Sequence, residues 1–131
     1  MLEAAFASVF LVVLFLAVFE FGMVFSSYIA VINASRAAAS YASMHPDPGD
    51  PEYERYVDIA RHELRAARLD MSQVEVLPLE MPEGASPGRP LKVTVRYHLT
   101  TFTSTMSFPI LGRMGLPSSY TISWTTTVPI R

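Results

Sequence analysis

Residues 4–19 read Ala-Ala-Phe-Ala-Ser-Val-Phe-Leu-Val-Val-Leu-Phe-Leu-Ala-Val-Phe, without one charged side chain. Glu3 stands just before this run and Glu20 just after it. The apolar character resumes through Phe21, Met23, Val24, Phe25, Tyr28, Ile29, Val31 and Ile32, and no proline occurs before Pro46. Proline is the residue that would cost most inside a helix, so nothing interrupts one long helix from Leu2 to Ser43. At ~1.5 Å per residue such a helix is about 60 Å long. That is roughly twice the hydrocarbon thickness of a bilayer. It must sit in lipid at one end and pack against protein at the other.

The second half of this helix, Ser26 to Ser43, is dominated by Ala and Ser. Tyr28, Ile32, Ser35 or Arg36, Ala39 and Ser43 recur at three- and four-residue spacing, which predicts a face of mostly small residues packed on a globular domain. Gly22 is its weakest point, by about 1 kcal/mol relative to Ala.

The remaining chain predicts a small α+β domain over 44–131, beside the N-terminal hydrophobic helix over 1–43. Met44 to Pro51 holds three prolines and a glycine and ends the first helix. Asp50 and Pro51 suit the cap and first position of a second helix, Pro51 to Arg68. Its apolar stripe is Tyr53, Tyr56, Val57, Ala60, Leu64 and Ala67. Val74 to Leu79 reads as a short strand pushed to a sheet edge by Pro78. Glu80 to Pro90 is a loop. Leu91 to Thr100 and Tyr120 to Val128 alternate apolar and polar residues, which predicts antiparallel strands with one buried face. Phe102 to Pro117 is an apolar loop or broken helix, expected to fold back over the sheet, with an intersubunit surface as the other reading.

The 131 residues hold 12 acids and 10 Lys or Arg, a net charge of −2. Both acids before Arg36 lie on the apolar helix, and the rest of the chain is neutral. There is no basic patch, so nucleic acid is not an expected partner. Cysteine is absent, which excludes disulfides and a thiol nucleophile. His45, His62 and His98 lack metal-ligand spacing, and there is no phosphate-binding glycine loop or Gly-x-Ser-x-Gly elbow. Neither catalysis nor a cofactor or metal is expected. The acidic start and the long apolar run read as a retained segment and not a cleaved secretory signal. Arg36 alone would place the C-terminal part inside by charge bias; a basic leader removed by processing would reverse that.

Three pieces of the first helix carry a resemblance: Leu2-Glu3-Ala4-Ala5-Phe6-Ala7, then Phe19-Glu20-Phe21-Gly22, then Asn33-Ala34-Ser35-Arg36 leading to Ser40-Tyr41-Ala42. They resemble the TadE-like proteins of tight-adherence pilus systems, within the type IV pilus superfamily. The sequence departs from that pattern in having no proline in the apolar run, its first acid at position 3, and Ser40 in place of a base. The resemblance implies a pilin-like chain held in the inner membrane after a prepilin peptidase trims it. The pilus assembly machinery would then build it into an extracellular filament through packing of N-terminal helices. A non-polymerising minor pilin or pilus-base component is the alternative.

Within that frame the candidate assembly residues are Glu3, Phe6, Phe10, Leu14, Glu20 and Gly22. Glu3 is costly in lipid, and in a filament the N-terminal ammonium of a neighbouring subunit is its natural partner. Glu20 is expected where the apolar run meets the outer interface, with a role in subunit register as the other reading. Gly22 would permit local melting of the helix or simply be a tolerated glycine. The Thr- and Ser-rich strand faces read as ordinary solvated positions.

Overall fold

The structure is a computed structural model and describes residues 2–101 and 119–131. The apolar segment Phe102–Pro117 therefore lies outside the described residues. Helix α1, Leu2–Ala42, runs unbroken for 41 residues, about 62 Å at the α-helical rise. Helix α2 is Arg55–Ala66, and a 3₁₀ turn follows at Met71–Gln73. Strands β1 (Val74–Val76), β2 (Pro90–Thr100) and β3 (Ser119–Pro129) form one antiparallel sheet in that spatial order. Both helices pack on one face of this sheet. The α+β architecture expected from the sequence is therefore the one observed.

Alternation decides which face of the sheet is covered. Leu91, Val93, Val95, Tyr97 and Leu99 of β2 are buried, while the residues between them are half-buried or exposed. β3 is aligned so that Val95 faces Trp124 and Tyr97 faces Ile122 across the ladder. The opposite face is polar. Thr94 shares a hydrogen bond with Thr125 at 2.7 Å, and Arg96 lies 3.7 Å from Glu75. β1 is cut to three residues because Pro78 cannot continue the ladder. Beyond it, the Leu77 amide still bonds the Thr94 carbonyl, and Glu80 pairs with Lys92.

The second half of α1 supplies the helical side of the core. Val31, Ala34, Ser35, Ala38 and Ala39 are fully buried, with Ala42 close behind. The centre of the buried face runs Ser27, Val31, Ser35 (with Ala34), Ala38, Ala42, not Tyr28, Ile32, Ala39 as the spacing suggested. The difference is a rotation of less than a quarter turn, since each residue turns the helix by about 100°. Tyr28 is left 37% exposed and meets Trp124 edge to face, with centroids 5.8 Å apart. Small side chains let α1 lie close to the sheet. Ser35 uses that proximity: its hydroxyl donates to the Val93 carbonyl at 3.0 Å and meets the Thr126 hydroxyl at 2.8 Å. Ser35 has one proton, so Thr126 donates in the second bond.

Helix α2 begins four residues later than Pro51. Asp50 does accept a backbone hydrogen bond, from the Glu52 amide at 2.9 Å, but this closes a turn over Pro51–Glu54 before the helix starts. The residue at the cap itself, Glu54, makes no side-chain capping bond. Tyr56, Ala60 and Leu64 are the buried residues of α2, and Ala67, expected on the stripe, is exposed beyond its end. The C-terminus closes with paired bonds from the Leu69 amide to the Leu64 carbonyl and from the Arg68 amide to the Arg65 carbonyl. That arrangement needs a left-handed residue, and Arg68 takes it at φ 60° where glycine is usual.

The end of the chain is tied to the end of α1. The Arg131 amide donates to the Ser43 carbonyl, and Ile130 is buried. The Gly88 amide bonds the Ile130 carbonyl at 2.8 Å. Gly88 sits at φ 83°, which a side chain would strain.

Candidate assembly surface

Helix α1 has two unlike halves. Beyond residue 24 it is built into the domain. Before it, apart from Glu20, most of the rod is exposed. Phe6 is 73% exposed, Phe15 70% and Phe21 71%. Nine large apolar side chains from Phe6 to Phe19 are exposed, and they point in every direction around the axis. Covering a Val, Leu or Phe side chain is worth roughly 1.5–3 kcal/mol. Nine of them, fully covered, amount to roughly 14–27 kcal/mol, at or above a whole domain's stability. A helix apolar all round belongs in a membrane or in a bundle of other helices. By length and composition the helix is apolar enough to cross a membrane.

Of the candidate residues, Phe6, Phe10 and Leu14 are all exposed and share one side of this rod at four-residue spacing. Glu3 is exposed in the first turn, where the helix dipole favours an acid. Glu20 is 3% exposed and engaged in an interaction. Glu20, Val24, Ser27 and Val31 follow four-, three- and four-residue steps, so Glu20 continues the stripe that faces the domain. Glu3 and Glu20 are not brought together, being 17 residues and about 25 Å apart along the axis.

Gly22 lies on the opposite side, exposed, and a Cβ placed there would meet nothing within 4 Å. Packing among the described residues does not require a glycine at this point. Ser26, Ile29, Asn33, Arg36 and Ser40 follow it on the same outward stripe, all exposed. Sequence reasoning did not separate this outward stripe from the buried one, because small residues occur on both sides. The four-residue recurrence of Ala30, Ala34, Ala38 and Ala42 was the available signal.

Residues 1–40 match the family model described as TadE-like protein. The match is to α1, and it agrees with the resemblance carried by residues 2–42. It associates the chain with tight-adherence pilus systems. Comparison with curated proteins and with solved structures gives no match.

Where α1 ends, the TadE-like helix is fastened by a polar cluster the sequence did not reveal. The Tyr41 hydroxyl donates to Glu52 Oε2 at 2.5 Å, and the Arg55 guanidinium pairs with the same carboxylate. The Tyr41 ring stacks on His45 with centroids 4.6 Å apart. The Tyr41 hydrogen bond, followed by that of Arg55, holds the Glu52 carboxyl below its ordinary value. The cluster is largely solvent-accessible, so it fixes the direction of the α1–α2 connection more than it adds stability.

Proposed function

We propose that this chain is a structural, non-catalytic subunit of a Tad-like pilus filament. The observation that carries the reading is the division of α1: its second half is the spine of a folded domain, and its first half is an apolar rod exposed over most of its length. Before assembly the rod sits in the cytoplasmic membrane, where lipid covers it. In the filament the rods of other copies replace the lipid, and the α+β domains lie outside. Between apolar helices the cohesion comes from close packing and not from expulsion of water. Phe6, Phe10 and Leu14 supply contact area in such a bundle. A prepilin peptidase and the pilus assembly machinery are the further partners this reading requires.

The test is electron microscopy of filaments sheared from the source cells, labelled with antibody to the α+β domain. Mass spectrometry then identifies the subunits. Continuous labelling along the filament supports the proposal. A chain recovered only in the membrane fraction, with filaments free of it, overturns the proposal and leaves a non-polymerising anchored component of the pilus base.

A further inference from the structure

Helix α1 carries three charged side chains, Glu3, Glu20 and Arg36. Glu20 is buried, so the exposed charges of the rod are one acid at its start and one base near its end. Neither Glu3 nor Arg36 makes an ion pair among the described residues. They are 33 residues apart, about 50 Å along the axis and about 60° around it, so they share one side of the helix. From this placement we infer that Arg36 of one copy receives Glu3 of another copy displaced by that distance along the fibre. The inference rests on the filament reading above and names the contact that sets its axial register.

Three observations favour a second copy as the occupant. Each chain carries both halves of the pair, so in a filament of parallel copies, each turned by about 120° about the fibre axis from the copy it contacts, the contact runs head-to-tail and repeats without closing. The surroundings of Arg36 admit a helix: Asn33 and Ser40 flank it on the outward stripe, and all three are exposed. Such small residues let two axes approach to the 8–10 Å of packed helices. A lipid headgroup does not fit the position. Arg36 lies 17 residues, about 25 Å, beyond Phe19 at the end of the apolar run. The headgroup layer beyond the hydrocarbon is only about 5–8 Å deep on each side. Glu3, in turn, enters an apolar bundle only with its charge matched.

The chain has no cysteine, so an introduced pair gives an unambiguous readout. Ala7 and Ser40 are exposed and also 33 residues apart, one turn beyond Glu3 and Arg36. Filaments assembled from Ala7→Cys/Ser40→Cys chains and treated with a short bismaleimide should give crosslinked dimers and longer ladders. Ala7→Cys/Ser26→Cys, with a different stagger, should give none. In parallel, Arg36→Glu and Glu3→Lys should each lower the yield of sheared filaments roughly tenfold or more, and the double exchange should restore it to within about threefold. Arg36→Glu filaments at natural yield, an unrestored double exchange, or natural-length filaments without the Ala7–Ser40 crosslink would overturn the inference while leaving the filament reading intact. Natural filaments that lack the chain altogether overturn the filament reading, and this inference with it.

Discussion

Replacing Ser35 by Ala sets two effects against each other, and the structure says which wins. Ala is the better helix former by about 0.5 kcal/mol, so an isolated α1 would gain. In the folded chain the Ser35 hydroxyl is fully buried and makes two hydrogen bonds, at 3.0 and 2.8 Å. Each is worth roughly 1 kcal/mol net. The Thr126 hydroxyl is half-buried and can turn to water, so the penalty for its lost partner is small. Ser35→Ala is therefore expected to cost about 1.5 kcal/mol, or roughly 6–12 °C in Tm for a domain of this size. Trp124 is the sole tryptophan and touches Tyr28 of α1, so its fluorescence reports directly on whether α1 stays on the sheet. The assay is thermal unfolding of the full chain in detergent micelles, followed by that signal. Thr126→Val serves as the second arm, with the two substitutions less than additive by about 0.5–1 kcal/mol. A Tm for Ser35→Ala equal to or above that of the natural chain would refute the argument, since helix propensity would then outweigh the contact.

Other outcomes follow from single positions. Arg68→Gly relieves a left-handed residue at the end of α2 and should raise stability by about 0.5–1 kcal/mol in the same melt. Gly22→Ala meets no atom within 4 Å and should stabilise the free subunit by about 1 kcal/mol; a fall in sheared filament yield despite that gain would place a close helix crossing at Gly22. The Glu52 carboxyl is held below its ordinary value by Tyr41 first and Arg55 second. Its contribution is thus complete above the ordinary glutamate range and is lost as pH falls from about 4.3 through the lowered folded value. Stability measured between pH 7 and pH 3 should therefore decline less steeply in Tyr41→Phe than in the natural chain.

Legibility of the sequence varied with the contrast of its pattern. β2 and β3 alternate over their whole lengths, so their bounds at 91–100 and 120–128 differ by one residue at each varying end from Pro90–Thr100 and Ser119–Pro129. The bare rod was equally plain, because sixteen uncharged residues have few alternatives. The start of α2 was misplaced because Asp50 and Pro51 are good helix-start residues that also make good turns, and local chemistry does not choose between the two. Arg68 carried no signal at all, since its left-handed backbone is imposed by the bonds that close α2.

By itself the sequence determined the long helix, its lipid-compatible first half, the second helix and a sheet with one covered face. Those features rest on local periodicity and on transfer energies that each residue brings with it. The tertiary structure decided the azimuth of α1 on the sheet, which buries Val31 and Ser35 and turns Gly22 and Arg36 outward. In a stretch of Ala and Ser every face is small and weakly polar, so intrinsic preference does not select one. The contacts of Val31, Ala34 and Ala38 with residues far along the chain make that selection.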